Sequence, residues 1–326
     1  MNKKILLLAT ATLLLVACEK ESKEAENNKS EALTQTDVVN FYLSSPVALN
    51  GTFLETGSSM MRMNEASTGT RANSTSYPIV TWSPTDGTWP VDLMVDYGNE
   101  GVIASDGLKH SGKMSIHATG LFEKEGSIIT PNFTNFYVYG NVLTATQIIE
   151  NKGKNEAGNL VFDVKVENGL LGTQNPFIYS EQTQRELVNG LGENGYLSPE
   201  VTTHTYQITG WMKTESRIDS IAGYTITIDD QIPMRISVGD LYPQAGRVHI
   251  KFDQDLSYSF NGLEINYNSA ILDFKGKEGD KYAATANIEF QFGPSTQSAE
   301  VSFQLDQNGI IPESITTNFE LNTSGL

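Results

Sequence analysis

Three features of the sequence predict an all-β fold: hydrophobicity with a period of two, turn-forming residues between the alternating runs, and few helical patterns. Phe162, Val164 and Val166 alternate with Asp163, Lys165 and Glu167. Val248, Ile250 and Phe252 alternate with Arg247, His249 and Lys251, and Ile288, Phe290 and Phe292 with Asn287, Glu289 and Gln291. Such alternation marks strands with one buried and one wet face, as antiparallel sheets have. Asn168-Gly169, Asn261-Gly262 and Asn308-Gly309 are good turn formers. The expected architecture is a set of many-stranded antiparallel sheets, either sandwich-like or one extended twisted sheet.

Further strands are expected at 92–97, 113–119, 136–149, 203–211, 224–228, 263–267, 270–274 and 301–305. Two segments depart from the pattern. Residues 56–77 are rich in Ser, Thr, Asn and Gly and read as a loop excursion. Residues 181–191 read as one short helix ending near Gly190 or Gly192. The resulting organisation is a leader over 1–17, a tether over 18–36, an N-terminal β block over 37–172, a connector over 173–201 and a C-terminal β block over 202–326. The two blocks are either separate domains or halves of one long sheet.

The N-terminus carries an address. Lys3 and Lys4 precede Ile5–Leu8 and Leu13–Val16, and Ala17 precedes Cys18. A short basic region, an apolar stretch and a small residue before the cut form the layout of an export signal. The apolar stretch, interrupted by Thr10 and Thr12, is shorter than the roughly 20 residues a spanning helix needs. Leu15-Val16-Ala17-Cys18 resembles the bacterial lipobox, which is cut before a cysteine already carrying a diacylglycerol. A thiolate is the nucleophile that such an acceptor requires, and Cys18 is the chain's one cysteine. The expectation is a lipid-anchored protein of the outer membrane, bearing palmitate or similar chains on Cys18.

The segment Glu19-Lys20-Glu21-Ser22-Lys23-Glu24 is too charged to bury apolar surface against its ordering entropy, so it is expected to be a disordered tether. Eighteen such residues average roughly 20–25 Å end to end. Glu19, Lys20 and Glu21 also resemble the surface-export signal of Bacteroidota lipoproteins, which implies a cell-surface location; a generic solvated tether is the alternative and leaves the periplasmic face open.

Removal of the leader takes away Lys3 and Lys4 and leaves 20 basic against 39 acidic residues, a balance of −19. That excludes nucleic acid as a partner, because its affinity rests on cations that neutralise phosphate. It also disfavours adhesion to anionic lipid except through the anchor. With one cysteine there is no intramolecular disulfide. Four histidines and no cysteine pair leave little for a transition-metal site, and neither a metal nor a cofactor is expected.

Several motifs are weighed and set aside. Gly107–Lys113 fits the G-x-x-x-x-G-K of a phosphate loop, but Met114 stands where a Mg²⁺-binding hydroxyl belongs and a strand follows instead of a helix. His117 and His249 fall on the wet faces of their strands as cross-strand partners. Asp229/Asp230 and Asp253/Asp255 match no calcium loop. Met60, Met61 and Met63 form no repeated copper motif. Trp82, Trp89 and Trp211 are candidates for a sugar-stacking platform, with core packing as the alternative. Asp219-Ser220-Ile221 resembles a short O-glycosylation motif of exported Bacteroidota proteins, with Ser220 as acceptor.

An ordered series extends the resemblance: Trp89-Pro90, Val95-Asp96-Tyr97-Gly98, Ser105-Asp106-Gly107, Ser111-Gly112-Lys113, Gly126-Ser127-Ile128-Ile129-Thr130, Phe136–Asn141 and Tyr206–Gly210. It is similar to a family of uncharacterised Bacteroidota surface lipoproteins, over about residues 88–230. That resemblance implies a location and a β architecture and carries no catalytic residue. The function expected is a non-enzymatic surface module that binds a glycan, a peptide or an outer-membrane protein. The alternatives are a carboxylate-dependent glycan hydrolase and a structural or assembly lipoprotein of the envelope.

Overall fold

A computed structural model of the chain describes residues 50–65, 78–138, 141–172, 177–192, 197–198, 203–217, 222–260, 263–292, 295–306 and 309–320. The first element is a helix, α1, over residues 50–65. Nine strands follow in the front half: β1 (Ile79–Ser83), β2 (Val91–Asp96), β3 (Val102–Ile103), β4 (Lys109–Ser111), β5 (Lys113–Ala118), β6 (Ile128–Val138), β7 (Asn141–Lys154), β8 (Leu160–Leu171) and β9 (Phe177–Asn189). The rear half holds β10 (Thr205–Glu215), β11 (Tyr224–Ile228), β12 (Met234–Ser237), β13 (Gly246–Phe260), β14 (Leu263–Glu278), β15 (Lys281–Phe292), β16 (Ser295–Asp306), β17 (Gly309–Ile310) and β18 (Thr316–Glu320).

The strands form one antiparallel ladder. It runs β1–β2–β5–β6–β7–β8–β9–β10–β11–β13–β14–β15–β16–β18. The short strands dock alongside: β3–β4 against β6, β12 beside β10, and β17 beside β16. Among the described residues no pairing joins β1 back to β16–β18, so the sheet is open. The front and rear blocks are thus continuous, joined through β8, β9 and β10.

The period-two reading explains the core. Because register is exchanged strand by strand, a buried residue faces a buried residue. One row runs Ile129–Ile149–Val164–Thr183–Gly210–Ile228–Val248 and continues through Leu272 and Ala286 to Val301. Its apolar members are buried, save Leu272, which is half-buried. The outward positions beside them, such as Lys165, Gln182 and His249, are exposed.

Two expectations are corrected. Residues 181–191 are not a helix: β9 spans Phe177–Asn189 and alternates inward Tyr179, Glu181, Thr183, Arg185 and Leu187. The excursion at 56–77 is helical as far as residue 65, and the rest of it lies outside the described residues. Two smaller details differ as well. Asn168-Gly169 lies within β8 as a bulge, with Asn168 at φ 53° and the register slipping between Val166 and Gly169, a place where Asn tolerates the left-handed conformation. The single strand expected over 136–149 is divided between β6 and β7.

The sheet wraps α1. Every residue from 50 to 60 is buried, which contact along a single helical stripe would not achieve. Phe53 packs its ring 5.9, 5.8 and 5.3 Å from those of Phe122, Phe162 and Tyr206. No helix among the described residues is long and apolar enough to cross a membrane.

Candidate functional site

The most unusual chemistry in the molecule surrounds α1. Its first cluster joins the helix to the β3–β4 hairpin. Glu55 and Arg62, seven positions apart, project from one side of the helix, and the Arg62 guanidinium donates to Glu55 Oε1 at 3.4 Å. Arg62 also donates to Ser105 Oγ at 2.6 Å, and that hydroxyl shares a 2.6 Å hydrogen bond with Ser58. The Ser105 amide donates to Glu55 Oε2 at 3.2 Å. Next along the chain, Asp106 accepts from the Leu108 amide at 3.0 Å and lies 2.8 Å from His110 Nε2. With the ring proton on Nε2, His110 donates to that carboxylate.

All three ionisable side chains at the centre are buried: Glu55 to 1 %, Asp106 to 3 % and His110 to 0 % exposure. Tyr97 stacks on His110 with ring centres 5.3 Å apart, and its hydroxyl adjoins Glu55 and Ser59 without closing a hydrogen bond to either. Burial raises the Glu55 pKa above its ordinary value. Arg62 opposes that rise, and the neighbouring Asp106 adds to it. Burial, with Glu55 close by, likewise pushes the Tyr97 phenol well up.

A second cluster holds the start of the helix from β9. Arg185 donates to Asn50 Oδ1 and to Glu181 Oε1, both at 2.8 Å, and its guanidinium carbon lies 4.4 Å from the Phe53 ring centre. Glu181 also accepts from Tyr179 at 2.6 Å and Thr183 at 2.5 Å. Arg185 and Glu181 are both fully enclosed, so one carboxylate collects three donors to offset its desolvation.

These clusters are interior. Beside Ser58 and Ser105 lies a cavity of about 10 Å³, lined also by Phe122, Leu197, His204, Tyr206 and Val238, room for about one water. No group of three or more His, Cys, Asp or Glu among the described residues is arranged to hold a metal ion.

The residues singled out in the sequence lie elsewhere. Leu15, Val16, Ala17, Cys18, Glu19, Lys20, Glu21 and Ser220 fall outside the described residues. The tryptophans are not brought together. Trp82 on β1 and Trp89 before β2 pack against the core. Trp211 on β10 is 36 % exposed on the outer face, between Gln182 and Thr227 of the neighbouring strands. Met60 and Met63 are core residues of α1. His117 pairs with Asp92 across β2 and β5 at 2.7 Å, an exposed contact. Gly107 and Gly112 lie at positive φ in turns that lead into strands, so no helix N-terminus forms a phosphate loop there.

Sequence reasoning missed Glu55, Arg62, His110, Glu181 and Arg185. A signal was present in β9, where charged residues occupy positions in phase with Tyr179 and Leu187. Comparison with family models, with curated proteins and with solved structures finds no match to the chain.

Proposed function

We propose that the chain is a lipid-anchored exported protein of the outer membrane that presents its β-sheet body as a non-enzymatic binding module. The observation that carries the reading is the N-terminal series: basic residues, an interrupted leucine-rich run, and a single cysteine directly after Leu-Val-Ala. The sequence after Cys18 opens on the charged run Glu19-Lys20-Glu21-Ser22-Lys23-Glu24, which suits a tether.

The binding part rests on Trp211. A half-exposed indole on a sheet face otherwise populated by Gln182, Gln184, Thr227 and Lys213 offers an apolar ring amid hydrogen-bonding groups. That combination suits a partner with both characters, such as a glycan or a peptide. Of the carboxylates that adjoin in space, Glu55 and Asp106 are enclosed, and Glu150 and Asp163 are cross-strand neighbours on β7 and β8, whereas a glycoside hydrolase requires two that face each other across a cleft.

Cells fed an alkyne-bearing palmitate analogue test the anchor. The protein should carry the label and sediment with membranes, and Cys18→Ala should abolish both. A Cys18→Ala protein that keeps the label would sink the lipidation reading. For the binding part, the mature protein and its Trp211→Ala variant are applied to immobilised glycans and peptides. Capture that is lost in the variant supports the module; turnover of a glycan polymer that Trp211→Ala leaves unchanged refutes it.

A further inference from the structure

The α1–hairpin contact contains more charge than its hydrogen bonds compensate. Around Glu55 the groups in reach are Arg62 on the same helix, Tyr97 after β2, and Asp106 and His110 from the β3–β4 hairpin. Arg62 is the one fixed cation among them. Its 3.4 Å contact is long for a charge-assisted hydrogen bond, and its other arm is committed to Ser105. Three fully buried polar atoms nearby, Ser59 Oγ, Tyr97 Oη and His110 Nδ1, have no hydrogen-bond partner. Natural interiors leave few such atoms, and each one asks for an explanation. Here they cluster at one contact, between a helix and a hairpin that are separate pieces of chain.

We propose that the contact between α1 and the β3–β4 hairpin is a proton-operated latch, firm while Glu55 is neutral and loosened when Glu55 is ionised. A neutral Glu55 has no desolvated charge to support beside Asp106, and it still accepts from the Ser105 amide. Its own hydroxyl then supplies a donor beside three unpartnered polar atoms, the Ser59 and Tyr97 hydroxyls and the acceptor His110 Nδ1. An ionised Glu55 places a second carboxylate next to Asp106 in an enclosed site, with one guanidinium that is 3.4 Å away and shared with Ser105. Such a charge is relieved most cheaply by admitting water, and water enters only if the helix and hairpin part.

The sign follows from linkage. Glu55 has a higher pKa folded than unfolded, so its contribution to docking is complete below the ordinary carboxylate range and is lost as pH rises through the folded value. This is opposite to the surface carboxylates Asp96 and Asp229, which backbone amide donors hold below their ordinary value. The latch therefore tightens at pH values where the rest of the electrostatics weaken.

Amide hydrogen exchange on the full mature chain, kept in mild detergent and corrected for intrinsic rates, reads the latch directly as pH is raised from the ordinary carboxylate range to alkaline. Protection of residues 50–65 and of the β3–β4 hairpin should fall about threefold or more as pH rises, while β13–β16 amides stay level. In Glu55→Gln, whose amide oxygen can still accept from Ser105 but cannot ionise, protection should be flat and stay at the acid-side level. Should that variant fail to fold, carbon NMR of the wild-type Glu55 carboxyl must show a titration midpoint that coincides with the loss of protection. Protection that is independent of pH, or a fall shared equally by β13–β16, overturns the proposal. So does an unchanged slope in Glu55→Gln, or a Glu55 midpoint that does not track the exchange.

Discussion

The front and rear of the sheet are built from the same ladder but filled differently. The front, from β2 to β10, encloses α1, and its largest fully buried side chains include Arg185, Tyr97, Tyr179, Phe53, Phe122, Phe133, Phe136 and Phe162. The rear, from β13 to β16, buries Ala284, Ala286 and Ala299 beside Ile288 and Val301. The charges differ in the same way. At the front Glu181–Arg185 is sealed on both sides. At the rear Asp273 meets a partly exposed Arg247 through two hydrogen bonds of 2.6 and 3.1 Å. The difference teaches that a wrapped helix forces polar groups inward and ties stability to complete pairing. The open stretch also buries carboxylates, but their cationic partners Arg247 and Lys277 stay partly exposed, where water can share the work.

The largest effect should come from breaking the sealed pair. Arg185→Ala leaves Glu181 buried without its cation, removes the Asn50 bond and uncovers one face of Phe53. The expected loss is about 3–5 kcal/mol, readable as a lowered midpoint in denaturant unfolding. The double variant Glu181→Leu with Arg185→Met should recover much of that loss, since an apolar pair needs no compensation. It should not recover all of it, because the Tyr179 and Thr183 hydroxyls lose their acceptor. A double variant as unstable as the single one would show that packing around Phe53, and not charge, dominates the front.

This contrast also explains what the sequence made legible. Strands whose inward residues are apolar, such as β8 and β15, announce themselves by alternation. β9 does not, because Glu181, Thr183 and Arg185 occupy inward positions. A Glu and an Arg four apart share a face in a helix, and they share one in a strand as well, since four is a multiple of two. The pair therefore reads as helical when its burial is unknown. α1 is hidden by composition. A helix enclosed on all sides needs small residues: a Cβ on Gly51 would lie 2.7 Å from Asp106 Oδ2 and 2.8 Å from Leu108, and one on Gly57 3.0 Å from Phe122. Glycine and serine serve that close approach, and in sequence they look like a loop. The candidate clusters were illegible for the same reason, being assembled from a segment read as loop, a hairpin and a strand read as helix.

A moderate effect is expected where the rear core is trimmed. Ile288 on β15 faces Ala270 on β14 and Ala299 on β16, and it is 2 % exposed. Ile288→Val removes one methylene from a site whose cross-strand neighbours are already small, and those neighbours cannot swing in to fill the gap. The expected cost is about 0.5–1.5 kcal/mol, measured by thermal unfolding. A larger loss than that of Arg185→Ala would reverse the ranking of the two regions.

The smallest effect belongs to the rear charges, and it carries a pH signature. The Arg247 guanidinium, with Lys275 nearby, holds the Asp273 carboxyl below its ordinary value. Asp273→Asn keeps the shape and gives up the charge, at a cost of about 0.5 kcal/mol at neutral pH, because Arg247 remains partly solvated. A carboxylate with a lowered folded pKa contributes stability above the unfolded value of 3.8, and that contribution disappears as pH falls through the folded one. The gap between wild type and Asp273→Asn should therefore close as unfolding is measured at progressively more acid pH, and high salt should narrow it at neutral pH. Glu55→Gln should show the reverse, its gap opening as pH rises, because there the folded state disfavours the charge. Opposite slopes from two carboxyl-to-amide changes, one on α1 and one on β14, separate a poorly compensated carboxyl from a well-paired one without altering the fold. Parallel slopes would mean that the front cluster is as well compensated as the rear one.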